Sequence, residues 1–238
     1  MSLDQCADQY VLNLAPEAEL ALSPRADDED SWSRDRARHH RLVKPSLEAA
    51  LAFQPDVVVS YWGGEPRLFK ALERRGVRVL TIEDATDMEG VKRNVAHIAV
   101  GLNQDQRGQE LIARMQAQLA DARGAGQGRP ILYVTPGGYT GGKGTLIDAI
   151  LTSAGFSNAA DGQGFVPIGV ESLIFKPPAL VVRGFYTLWR SNWRAPGRHP
   201  VVRKLSQGRT ITDLSATTLS CPAWFAAEAS AQLAEAAR

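Results

Sequence analysis

The sequence predicts an α/β protein built as two Rossmann-like parallel-sheet lobes joined by a long α-helix. Three observations predict it. Short β-rich runs alternate with amphipathic runs, the pattern of parallel strands with crossover helices. The alternation stops in the middle of the chain, where two helical stripes stand without a strand between them. It then restarts, with the second half echoing the first. A chain of 238 residues with 44% hydrophobic and 22% charged residues can bury cores for two such lobes.

In the first half, "PDVVVSYW" (55–62) and "VRVLTI" (77–82) read as buried strands. "PRLFKALERRG" (66–76) is the helix between them, with Gly76 as its stop. "ELALS" (19–23) is a weaker strand, and "PRADDEDSWSRDRARHH" is a polar loop with a short helix. Val91, Val95, Ile98 and Leu102 form one helical stripe; Leu111, Ile112, Met115 and Leu119 form another. The second helix, Gln104 to Arg123, is about 30 Å long and makes a stiff strut. The expected division is an N-terminal lobe over 1–102, a bridging helix over 103–126 and a C-terminal lobe over 127–238. After residue 128 come "RPILYVT", a helix over 145–154, "ALVVRGF", a helix near 198–205, "RTITDL" and a last helix from about Pro222.

The echo is specific. "EAALAFQPDVVVSYW" begins at Glu48 and "ESLIFKPPALVVRGF" at Glu171. Aligned on these glutamates, Pro55 meets Pro178, Val57 to Val59 meet Leu180 to Val182, and Trp62 meets Phe185.

"TPGGYTGGKGT" (135–145) poses the first functional question, because strand, glycine loop, lysine and helix is how a phosphate loop is written. Gly137, Gly142 and Lys143 have the G-x-x-x-x-G-K spacing, but Gly144 stands where a magnesium-binding hydroxyl belongs. "ALVVRGF" carries no acid to hold the metal, so a P-loop-like nucleotide enzyme using 137–145 is the weaker alternative. No Ser-His-Asp, carboxylate-pair or reactive-cysteine pattern indicates an enzyme. The four histidines show no metal-ligand spacing, and no cofactor is indicated. Net charge of +1 gives no field for nucleic acid, and no apolar run approaches the roughly 20 residues of a membrane span. Cys6 and Cys221 fit no zinc spacing; whether they pair is left open.

Two α/β lobes on a helix, each with an aromatic ending a strand, resemble the helix-bridged (class III) periplasmic binding proteins of ABC importers, the iron-siderophore and cobalamin branch. The resemblance spans nearly the whole chain and rests on "SLDQCADQYVLNLAP", "SLEAALAFQPDVVVSYWGG", "GGKGTLIDAILTSAGFSNAA" and "SCPAWFAAEASAQLA". It implies a monomeric solute-binding protein of the periplasm, without membrane insertion. Such a protein holds a ferric siderophore or corrinoid in the interlobe cleft and delivers it to the permease. Haem is a lesser option, and a cytoplasmic two-lobed sensing protein of the same fold is a further alternative. Members of that family carry a signal peptide and a first strand ahead of the "S-L" turn, so an upstream start is expected to supply both.

Ligands of parallel sheets bind beyond the C-terminal strand ends. That places Tyr61, Trp62, Tyr139, Phe185, Tyr186, Trp189, Trp193, Trp224 and Phe225 as stacking surfaces for a flat chelate. Arg190 and Arg194, with Arg183 and Arg198, are candidate clamps for carboxylate or catecholate oxygens, which put the iron chelate ahead. By the resemblance, Glu48 and Glu171 are the paired glutamates that dock onto permease arginines.

Overall fold

The computed structural model describes residues 1–188 and 194–238. It divides into two units. One comprises Met1–Ala85, Glu89–Ala113 and Ser220–Trp224; the other comprises Thr86–Met88, Arg114–Leu219 and Phe225–Arg238. The chain passes from the first to the second within the helix Asp105–Ala122.

In the first unit Val57–Tyr61 and Arg78–Ile82 pair in parallel, in register from Val57 with Arg78 to Tyr61 with Ile82. Ala21–Leu22 pairs in parallel with Arg41–Leu42. Residues 1–3 fill the space between these pairs. Val59 donates to the Met1 carbonyl, Leu3 to the Val59 carbonyl and Ser2 to the Ala21 carbonyl. Backbone groups of Val59 and Ala21 thus find partners there. Met1, Ala21, Ala50, Val58, Leu68 and Leu72 form the core of one sheet face. Leu68 and Leu72 come from the helix Pro66–Glu73 at i, i+4 spacing, with proline in its first turn.

The helix Gln5–Leu14 begins at Asp4, whose carboxylate accepts from the Ala7 amide at 2.9 Å. Within this helix Asp8 is fully buried. It accepts from the Ser2 hydroxyl, from the Ser23 amide at 2.9 Å and from the Ser23 hydroxyl at 2.6 Å. Burial outweighs these bonds and pushes the carboxyl up to about 6.

The segment Ser220–Trp224, near the end of the chain, packs with this first unit. Cys221 forms a disulfide with Cys6, which settles the pairing the sequence left open. The Tyr10 hydroxyl donates to the Pro222 carbonyl at 2.8 Å.

The second unit holds a parallel sheet in the order Thr210–Leu214, Leu180–Gly184, Pro130–Val134, Ser157–Asn158. Leu132, Val134, Ala160, Leu173, Val181 and Val202 make one of its core clusters. The last helix runs Ala226–Ala237, four residues later than the proline signal predicts, with a short helix Ala216–Leu219 ahead of it. An antiparallel pair, Tyr139–Gly141 with Phe165–Pro167, was not expected from the sequence.

Two outcomes are expected. Replacing Cys6 and Cys221 together by serine should lower stability by about 2–5 kcal/mol in urea denaturation, since the bridge closes a very long loop. Asp8 titrates above the ordinary 3.8, so its protonated form favours folding. Its contribution is full below about pH 4 and is lost as pH rises through about 6, roughly 3 kcal/mol in all. Asp8→Asn should remove that decline from the stability profile; an unchanged slope would contradict the assignment.

Candidate functional site

The first candidate surface is built where the strand Val57–Tyr61 ends. Asp4, besides capping its helix, accepts from the Tyr61 amide at 2.7 Å and the Ser60 hydroxyl at 3.1 Å. One carboxylate therefore holds the start of a helix against the end of a strand. The Trp62 amide donates to the Ile82 carbonyl, so the ladder holds its backbone one residue beyond the strand. On the neighbouring strand, Asn94 and the Glu83 backbone exchange two hydrogen bonds of 2.7 and 3.1 Å. This fixes the exit where Asp84 sits. Asp84 accepts from the Tyr61 hydroxyl at 2.6 Å. Burial, then that bond, raises the Tyr61 phenol well above its ordinary range. Trp62 lies edge-on to Tyr61, ring centroids 6.2 Å apart, and is 53% exposed. A cavity of about 260 Å³ opens here, lined by Leu3, Asp4, Ser60, Tyr61, Trp62 and Gly64 among others.

The second surface lies on the antiparallel pair. Tyr139 stands opposite Pro167 and Gly141 opposite Phe165. Strand alternation puts these four on one face and Thr140 with Val166 on the other. Tyr139 and Phe165 are 48% and 64% exposed, whereas Thr140 is buried. Phe165 escaped the sequence analysis; its signal is a lone aromatic after "GQG" in a short alternating run.

The glycine loop is spent on itself. Gly138 donates to the Thr135 carbonyl and Tyr139 to the Thr135 hydroxyl. Gly142 and Lys143 donate to the carbonyls of Gly164 and Gly162. A Cβ at Gly142 would lie 2.6 Å from the Gly162 oxygen, so glycine is needed for this close approach. Gly144 has φ +74°, a conformation that a serine or threonine would adopt only under strain. Thr145 caps the helix Leu146–Ser153 and donates to the Gly142 carbonyl. The amides of Gly138, Tyr139, Gly142 and Lys143 and the hydroxyl of Thr145 are thus partnered within the fold.

At the end of Leu180–Gly184, Phe185 is half-buried with φ +64°, a costly backbone for an aromatic residue. Tyr186 is also half-buried and donates to the Gly197 carbonyl at 2.7 Å. Guanidinium groups of Arg183 and Arg198 lie 5.1 and 5.0 Å from its ring centre. Arg183 is bidentate to Asp213, and Arg198 donates to the Tyr186 carbonyl at 2.9 Å. Arg183 and Arg198 thus each have partners within the fold. Arg194 is exposed. Trp189, Arg190 and Trp193 lie outside the described residues.

The placement of Trp224 and Phe225 is corrected. Trp224 is 5% exposed, edge-on to Tyr10 at 5.5 Å and to Trp32 at 5.7 Å. Phe225 is 1% exposed. Their rings are core, where large aromatics bury much area. Glu48 and Glu171 are both exposed, in the first turns of Leu47–Phe53 and Val170–Phe175. No helix among the described residues is long and apolar enough to cross a membrane.

A family model described as periplasmic binding protein matches residues 12–186. Among curated proteins none matches. Several solved structures share the fold. The periplasmic heme-binding protein BhuT, in complex with two hemes, superposes with TM-score 0.75 at 21% identity, over 99% of this chain and 96% of that one. A possible iron-binding solute-binding protein of Staphylococcus epidermidis gives 0.77 at 16% identity, with the same coverages. The vitamin B12 binding protein BtuF of Vibrio cholerae gives 0.63 at 16% identity, over 99% and 94%.

The loop chemistry carries its own expectation. Mg-ATP should produce no saturable change in intrinsic fluorescence; a saturable one abolished by Lys143→Ala would restore the nucleotide reading.

Proposed function

The chain belongs to the periplasmic binding protein family, and we propose that it is the solute-capturing component of an ABC importer for a ferric siderophore or a corrinoid. Family members bind solutes and are not enzymes. The observation that carries the reading is Trp62: a half-exposed tryptophan on a fixed strand end, braced by a tyrosine that Asp84 holds in place. An indole left open to water with its backbone anchored is a pre-organised stacking surface, and stacking on it costs little conformational entropy. Tyr139 and Phe165 offer a comparable aromatic face on the second unit. Arg190 and Arg194 are the proposed clamps of an anionic iron chelate, while Arg183 is bound to Asp213. Glu48 and Glu171 are the proposed contacts with the permease.

Haem is a second reading, favoured by Tyr139. Its phenol is half-exposed and makes no hydrogen bond to a described residue, and tyrosine is one of the side chains that hold haem iron. The heme-binding protein among the structural neighbours supports the same reading.

Tryptophan fluorescence titrated with ferric siderophores, cobalamin and haemin separates these ligands. One chelate should quench saturably, and Trp62→Ala should weaken it about tenfold or more. If haemin is the ligand, Tyr139→Phe should alter the visible spectrum of the complex. Quenching by no chelate would count against the proposal.

A further inference from the structure

The repeat holds more than its glutamates. The helices Leu47–Phe53 and Val170–Phe175 start in the same register, and the strands after them, Val57–Tyr61 and Leu180–Gly184, also start and end in that register. At one aligned position each helix turns a side chain into the core: Ala50 at 1% exposure in the first, Leu173 at 6% in the second. The next residue on each turns outward. Leu51 is 45% exposed and Ile174 is 54% exposed. Each stands three residues after its glutamate, so acid and aliphatic side chain are neighbours on one outward helix face. A single exposed leucine is ordinary on any protein surface. The same acid–aliphatic pair at the same register of both repeats is not, because neither unit's packing calls for it.

We propose that Leu51 and Ile174 are the apolar anchors of two docking patches for the importer's permease, each an aliphatic side chain beside a glutamate. The inference rests on the proposed importer role and adds the chemistry of the partner. The fitting surface offers an arginine or lysine next to an apolar hollow, once for each unit. On the second unit the patch continues through Phe175, at 84% the most exposed large hydrophobic residue among the described residues. A cavity of about 730 Å³ opens beside it, lined by Leu132, Val166, Glu171, Leu173 and Phe175 among others, with room for a partner's side chain. The first patch keeps its charge firmly: the Glu48 backbone amide and Ser46 hold the Glu48 carboxyl below its ordinary value.

The two kinds of residue should act differently. Exposed charges steer encounter and give it salt dependence, whereas buried apolar contacts govern dissociation. Docking is measured by biolayer interferometry on the importer's permease in lipid nanodiscs, with ligand affinity measured separately by fluorescence. Leu51→Ser and Ile174→Ser should each weaken docking about tenfold through faster dissociation, and about a hundredfold together. Ligand affinity and the salt dependence of docking should stay as in the wild type. Both positions are exposed, and circular dichroism melts confirm the fold of the variants. Glu48→Arg with Glu171→Arg should instead slow association and flatten the salt dependence. If the glutamate pair weakens docking and the serine variants do not, the anchors are refuted while the docking role stands. If none of these variants alters docking, the docking role itself fails.

Discussion

Parallel strand pairing is the constraint on which both units depend. Strands that all run one way must return through crossover segments, so their C-terminal ends gather along one edge of each sheet. That edge is where Tyr61 and Trp62 stand in the first unit and Phe185 and Tyr186 in the second. The strands themselves are nearly spent on burial: Val58, Val59, Val181 and Val182 are all at or below 1% exposure. Just past the ladder the chain turns and side chains are less enclosed by the core. Asp4 shows how tightly such a turn is held. A single carboxylate satisfies a helix start and a strand end at once.

The two units use this edge differently. In the first, the aromatic that ends the strand is left open and its neighbour is braced from the side by Asp84. In the second, the corresponding aromatics are drawn in. Tyr186 is held by two guanidinium groups and a backbone carbonyl, and Phe185 sits in a left-handed conformation. Among the described residues of that unit, the antiparallel pair that carries Tyr139 and Phe165 offers exposed aromatic surface. An unfavourable backbone at Phe185 persists because the sheet and the Arg183–Asp213 pair fix the chain around it.

Much of the fold was legible because periodicity and local chemistry agree. Helix Pro66–Glu73 announces itself through its first-turn proline and the Leu68–Leu72 spacing; Val57–Tyr61 does so through a run of valines after Pro55. The repeat was legible because its glutamates, prolines and strand residues keep register. What escaped depends on contacts distant in sequence. Arg183 looked like a free cation because its partner, Asp213, lies on another strand. Trp224 looked like a site aromatic because nothing local reveals that Tyr10 and Trp32 enclose it. The need for glycine at 142 is likewise illegible locally, since it comes from a close backbone approach to residue 162.

The most direct test of the central claim is native mass spectrometry of the full-length protein incubated with ferric siderophores, cobalamin, haemin and Mg-ATP in competition. One metal chelate alone should be retained as a stoichiometric complex, and its retention should fall in Trp62→Ala. Retention of no chelate, or of the nucleotide in its place, would contradict that claim.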